Sequence, residues 1–234
     1  MPIFVDNKDM IGMLDNPIWW ALNSDSQQLG SGTDNAKIFQ ADVSPFAAVR
    51  DDQSVQYDEL ASLLDNKRVF VMFSPKPDLN PAPFRILNKI DGLQMVYERT
   101  TSETLADDGI VTLNMRHVPQ MLALTQLVPP GPFEQRTITF GGYCGIFHED
   151  QLVAMAGERL RVAEYTEISA VCTHTDFAGK GLAKRLMIRK IQDIIAAGKR
   201  PYLHVRADNV AAIGLYERLG FVPRSAMNFY VLQK

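Results

Sequence analysis

The chain has 234 residues, 24 Lys+Arg against 27 Asp+Glu, and a formal charge of −3. Hydrophobic residues make up 46% and charged residues 22%, close to the soluble globular average, which excludes wholesale disorder and fibrous repeats. The slightly acidic balance argues against nucleic-acid or membrane-surface binding, since both need a local Lys/Arg excess. The length fits one large domain or two small ones.

The longest apolar runs, such as 69–73 and 152–156, are five residues, whereas a spanning helix needs about 20. Residues 1–6 lack a basic stretch followed by an apolar one, so no signal peptide is expected. Cys144 and Cys172, the only cysteines, make a poor disulfide framework and cannot form a four-thiolate zinc site. The simplest compartment is the cytoplasm.

In chain order, the apolar opening around Trp19 and Trp20 needs a core or an interface to bury it. Residues 54–65 read as an amphipathic helix with Leu60, Leu63 and Leu64 on one side, and 68–73 as a strand. Residues 74–83 carry four prolines and must be a loop. A strand follows at 93–98. A polar seam at 99–109 marks the expected boundary between an N-terminal α/β domain (1–108) and a second domain (109–234).

Past that seam, 118–127 reads as a helix ended by Pro129-Pro130-Gly131-Pro132. Residues 142–148 and 152–159 read as a hairpin around Glu149-Asp150, and 167–173 as a strand. Residues 182–197 form a strong helix, with Ala183, Leu186, Met187, Ile191, Ile194 and Ile195 in one stripe and Gly198 as its stop. A strand at 202–205, a helix at 209–219 capped by Asn209 and stopped by Gly220, and a strand at 228–232 complete the pattern.

The chemistry is concentrated at residues 171–183: a strand, a loop with Gly179 and Gly181, then at once a long helix. The first N–H groups of a helix have no intrahelical partner, and its dipole places about half a positive charge there. Glycines let a pyrophosphate approach the backbone closely. A Walker A loop fails because His174 and Gly181 stand where Gly and Ser/Thr are required, and a dinucleotide fingerprint fails at Lys184. A tight turn with no ligand is the plain alternative.

About thirty residues on, Asn209, Ala212, Tyr216, Gly220 and Phe221 recur at set spacings. Together with Gly179, Gly181 and Ala183 they resemble the GNAT superfamily of acyl-CoA-dependent N-acyltransferases, over about 109–234. Within it the resemblance leans to the branch with glycine N-acyltransferase-like domains. It implies a mixed α/β fold, a central twisted mixed sheet flanked by helices, and allows residues 1–108 to be a degenerate copy of the same fold. One departure is Ala178, where the family usually has Arg or Gln; Lys180 or Lys184 offers replacement charge.

The resemblance further implies acetyl-CoA or another short acyl-CoA as co-substrate, and direct attack by an amine, small molecule or peptide, in a ternary complex. Val171, Cys172 and Thr173 would lie in a splayed strand facing the acyl group and pantetheine arm. Gly179, Lys180, Gly181, Leu182 and Ala183 would cradle the pyrophosphate, and Asn209 would touch cofactor or merely cap its helix. Tyr216 would be the general acid for the leaving thiolate. Glu167 is the preferred base, with Glu164 and Glu158 as rivals and a water relay as the alternative. Cys172 reads as a buried filler rather than an acyl carrier. Phe133 and Tyr143 are candidate acceptor contacts. His174 reads as structural or near the cofactor; His117, His148 and His204 lack metal spacing, so no metal is expected. No nucleic acid or membrane partner is expected, and a homodimer through the tryptophans is allowed. A non-catalytic CoA-binding regulatory module or an interaction scaffold is the competing reading.

Overall fold

The computed structural model describes residues 12–99 and 109–234. The opening residues 1–11 and the seam at 100–108, on which the leader expectation and the expected boundary fall, lie outside the described residues. The elements are α1 (Pro17–Leu22), β1 (Gly30–Gly32), β2 (Ala36–Phe39), β3 (Ala47–Val49), α2 (Ser54–Leu63), β4 (Val69–Ser74) and β5 (Arg85–Tyr97). They continue with β6 (Ile110–Thr112), α3 (Val118–Leu127), β7 (Cys144–His148), β8 (Gln151–Val162), β9 (Tyr165–Thr173), α4 (Leu182–Ala196), β10 (Arg200–Arg206), α5 (Val210–Leu219) and β11 (Phe221–Gln233).

Strands β4 to β11 form one eight-stranded sheet in the order β4-β11-β5-β10-β9-β8-β7-β6. All neighbours are antiparallel except β9 and β10, which are parallel. This corrects the expected division at residue 108. Strand β5, from the first part of the chain, lies between β10 and β11 of the second, so the division cuts one sheet instead of separating two. The reason is burial: β5 ends in Met95-Val96-Tyr97, all nearly inaccessible, and such a run needs neighbours on both edges. Residues 12–99 contribute to that same sheet. They add strands β4 and β5, the small antiparallel sheet β1-β2-β3, and helices α1 and α2.

The period of two sends alternate residues of β8 to opposite faces. Met155 joins Val118, Met121 and Leu124 of α3 in one apolar cluster; Ala154 and Ala156 join Leu186 of α4 in another. Helices α3 and α4 therefore cover opposite faces of the sheet. Trp19 is buried on the α3 side with Phe39, Phe46, Phe73 and Tyr202, whereas Trp20 is 38% exposed. α2, α3, α4 and α5 stand close to their expected places, and α1 forms in the apolar opening where no helix was expected. β5 and β11 are longer than expected: residues 85–91 mix Arg, Asn, Lys and Asp with Ile86, Leu87 and Ile90 and lie mostly exposed outside the core, and Pro223 breaks the strand pattern of β11 at a register shift between Pro223 and Ser225. Among the described residues, no helix is long and apolar enough to cross a membrane.

Candidate active site

Pairing between β9 and β10 is confined to three positions: Arg200 with Tyr165, Pro201 with Thr166 and Tyr202 with Glu167. Beyond Glu167 the two strands part, and the rest of β9 (Ile168–Thr173) is released on that edge. On its other edge β9 is irregular: its register with β8 shifts between Met155–Cys172 and Gly157–Ser169. Two residues, Ala170 and Val171, oppose one, Ala156. This is a β-bulge, and Ala170 takes the left-handed conformation with φ 55°, unusual for a residue with a Cβ. The bulge re-aims the backbone of residues 170–172 beside the opening.

At the C-terminal end of β9, Thr175–Phe177 forms a single 3-10 turn capped by the His174 ring, whose Nδ1 accepts the Asp176 N–H. Gly179 and Gly181 then follow with φ 74° and 76°, and Gly181 is the N-cap of α4 with no side chain capping the helix. A Cβ on either glycine would meet nothing within 4 Å. Both glycines are therefore required by conformation, not by crowding, and the space above them is open. An uncapped fifteen-residue helix behind an open glycine turn is a ready anion site. Lys180 lies over the Phe177 ring at 4.4 Å beside it. Asn209 caps α5, its side chain accepting the Ala212 N–H at 3.2 Å.

Tyr216 packs partly buried against the cluster of Met95, Tyr97, Ile168, Leu203 and Val205, its ring 6.1 Å from that of Phe221. Burial pushes its hydroxyl up to about 12, so it stays a protonated phenol. Among the described residues, two buried side-chain polar atoms have no hydrogen-bond partner: the Tyr143 hydroxyl and the Thr173 hydroxyl. Thr173 ends β9. Tyr143 shares one apolar cluster with Ala170 and Cys172, and its ring sits where Gly157 has no Cβ. Phe133 meets Tyr143 edge-on at 5.8 Å. An orphaned buried hydroxyl costs about 1–3 kcal/mol, so two of them on and beside the bulged strand mark that strand as a place for a ligand.

Glu167 does not suit the expected role of base. Its side chain is 1% exposed and accepts from Arg159 Nε at 2.9 Å and Nη2 at 2.5 Å. His204 Nδ1 lies 2.7 Å away. Burial alone would raise this carboxyl, but Arg159 and then His204 outweigh it and hold it near 2. An ionised group so tightly held is a weak proton acceptor. The rivals are paired too: Glu158 with Arg161 and with buried Lys190 at 3.1 Å, and Glu164 with Arg200 at 3.6 Å.

The hydrogen-bond network also fixes the tautomer of His204. Arg224 donates to Gln94 Oε1 at 2.7 Å and to Asp15 at 2.7 Å. Gln94 Nε2 donates to the Leu14 carbonyl at 2.8 Å and lies 2.9 Å from His204 Nε2. With the amide oriented by Arg224, His204 Nε2 must accept, and its proton sits on Nδ1, facing Glu167. Burial lowers the pKa of His204 against the pull of Glu167, consistent with a neutral ring. Sequence reading missed this network, because residues 15, 94, 159, 167, 204 and 224 share no spacing signal.

Burial also holds the Cys172 thiol near 12 and the Cys144 thiol near 11; neither is a ready thiolate. A cavity of 220 Å³ lies beside α3, walled in part by Ala123, Leu124, Leu127 and Leu152. Among the described residues, no cluster of three or more His, Cys, Asp or Glu is placed to hold a metal ion.

The FR47-like protein family model matches residues 143–230, a span from Tyr143 through β9, the glycine turn and Tyr216. The crystal structure of a protein from Novosphingobium aromaticivorans, assigned as an acetyltransferase of the GNAT family, is similar at a TM-score of 0.88 and 36% identity, over 94% of this chain and 98% of that one. A GCN5-related N-acetyltransferase from Kribbella flavida shares the fold at a TM-score of 0.60 and 13% identity, over 98% of this chain and 96% of its own. An acetyltransferase from Pectobacterium atrosepticum is 45% identical over 49 residues, 20% of this chain and 35% of that protein; the match thus spans about a third of that relative. The chain belongs to the GNAT family of acetyltransferases.

Proposed function

We propose that the chain is an acyl-CoA-dependent N-acyltransferase that moves an acetyl or short acyl group to an amine by direct attack in a ternary complex. The observation that carries this reading is the parting of β9 from β10 after Glu167, directly below an uncapped, glycine-turned helix N-terminus. That pairing of features suits a ligand with an anionic pyrophosphate at one end and a slender arm at the other. The backbone N–H groups from Gly179 through Lys180, Gly181, Leu182 and Ala183 hold the pyrophosphate, and Lys180 adds charge where Ala178 has none. Val171, Cys172 and Thr173 line the pantetheine arm. A backbone N–H at the bulge stabilises the oxyanion of the tetrahedral intermediate. Asn209 keeps its cap and offers its amide N–H to the cofactor.

Tyr216 protonates the departing thiolate. A phenol pushed up to about 12 by burial is a weak acid, but a thiolate leaving into the same dry surroundings is made more basic by the same loss of solvent. With Glu167, Glu158 and Glu164 each ion-paired, the proton of the incoming ammonium leaves through water. Phe133 and Tyr143 face the acceptor. A cytoplasmic location and the glycine N-acyltransferase-like branch remain parts of this reading, resting on composition and on the motifs at 179–183 and 209–221. Isothermal titration with acetyl-CoA tests the cofactor assignment, and absence of binding would sink it. Tyr216→Phe is expected to lower kcat by about 100-fold with the acetyl-CoA affinity kept; unchanged turnover would reject Tyr216 as the acid.

A further inference from the structure

Five neighbouring strands each place one polar side chain in a single row across the sheet. In sheet order these are Arg224 of β11, Gln94 of β5, His204 of β10, Glu167 of β9 and Arg159 of β8, each bonded to the next. Register builds the row. His204 stands directly opposite Gln94. Glu167 stands opposite Tyr202, and the period of two puts His204 on the same face as Tyr202. Arg224 is the extra residue where the register shifts between Pro223 and Ser225, and such a bulge re-aims a side chain. Asp15 ends the row, 2.7 Å from Arg224. The centre is dry: the His204 and Glu167 side chains are 2% and 1% exposed. Phe73 packs on the His204 ring at 5.0 Å, and the Arg159 guanidinium lies 4.8 Å from the centre of the Phe46 ring.

None of these groups takes part in the proposed chemistry. A buried, paired polar row adds little stability over well-packed apolar residues, but with every member satisfied it fixes one arrangement of the strands it joins. Past Glu167 the backbone ladder between β9 and β10 has ended. The bond from His204 Nδ1–H to Glu167 Oε1, at 2.7 Å, crosses from one strand to the other at that vertex. We infer that His204 is a positioning residue for the acyl-CoA arm, its bond to Glu167 setting the width of the opening between β9 and β10. This rests on the acyltransferase reading above and adds a residue to it. The leverage is long. The bulge at Ala170 stands three residues past Glu167, about 10 Å along the strand, so a tilt of about 5° at the vertex moves it by about 1 Å. With Nδ1 donating to Glu167 and Nε2 facing Gln94, His204 acts through β9 and not on the cofactor itself.

The test is calorimetric titration of the full chain with acetyl-CoA and, separately, with ADP, which carries a pyrophosphate and no arm. His204→Leu removes the bond, while Arg159 still neutralises Glu167. It should weaken acetyl-CoA binding about tenfold, the worth of one misplaced hydrogen bond to the arm, and leave ADP binding unchanged. His204→Asn, whose amide N–H can stand where Nδ1–H stands, should restore most of the loss. Ring-nitrogen NMR of the wild-type chain should find the His204 proton on Nδ1, a reading that decides even where His204→Leu does not fold. Unchanged acetyl-CoA affinity in His204→Leu, an equal loss for ADP, an equal loss in His204→Asn, or a proton on Nε2 each overturns the inference and leaves the acyltransferase reading in place. Failure of the wild-type chain to bind acetyl-CoA is a different result and removes that reading, and this inference with it.

Discussion

Glu167 sits at the last paired position before β9 and β10 part, and its partners reach it from the two flanking strands, Arg159 from β8 and His204 from β10. The cluster pins the vertex of the opening. Removing the charge of Glu167 while Arg159 stays buried leaves an uncompensated guanidinium, so Glu167→Gln should cost roughly 3–5 kcal/mol in urea unfolding at neutral pH. Acid should act through the same group. The carboxyl is held near 2 in the fold against an ordinary 4.5, so its contribution is complete above 4.5 and is lost as pH falls toward 2. His204, lowered from 6.5, favours the neutral ring in the fold and adds a loss of the same sign below 6.5. The urea midpoint should therefore decline from about pH 6.5 downward, and less steeply below 4.5 in Glu167→Gln. A flat profile between 6.5 and 3 would contradict this account.

At the scale of elements, the turn from β9 into α4 depends on two left-handed glycines with empty space beyond them. Gly181→Ala should destabilise by about 1–2 kcal/mol, the cost of a Cβ in that conformation, with no steric clash to add. The same change should weaken acetyl-CoA binding, because the turn that aims the first N–H groups of the helix is distorted. Thermal unfolding and titration calorimetry check the two effects separately; loss of stability with unchanged affinity would detach this turn from the pyrophosphate. The bulge at Ala170 is a second such device. Its strained φ falls on an alanine, with no glycine to flag it, so nothing in the residue order announces it.

At the scale of the whole molecule, the sheet is closed by the first part of the chain. β5 pairs with β10 on one edge and β11 on the other, and Gln94 of β5 is the link between Arg224 and His204. A fragment of residues 109–234 alone lacks that strand. It should fail to give a cooperative unfolding transition or dispersed amide resonances, whereas the full chain should give both; a folded fragment would restore the two-domain division that the motifs suggested.

Local physics made much of the second half legible. Helices 118–127 and 209–219 declare themselves by apolar period and by Pro, Asn or Gly at their ends, and the run at 171–183 declares a strand, a glycine turn and a helix in that order. These signals work because each depends on neighbours within a turn or two. The role of Glu167 did not: in the residue order it is a carboxylate beginning a central strand, and only the packing of β8 and β10 against β9 brings Arg159 and His204 to it and removes it from base catalysis. So too with β5, whose outer residues 85–91 are mostly exposed and show no clean alternation, which hides a central strand. The sequence by itself determined the family pattern, the glycine turn and the placing of Tyr216. The tertiary structure decided that the chain builds one sheet, that Glu167 is held in a buried network, and that Tyr143 is left without a partner. Those depend on meetings such as Gln94 with His204, 110 positions apart, and Glu167 with His204, 37 apart, which are set by strand order and burial and leave no period or spacing to read.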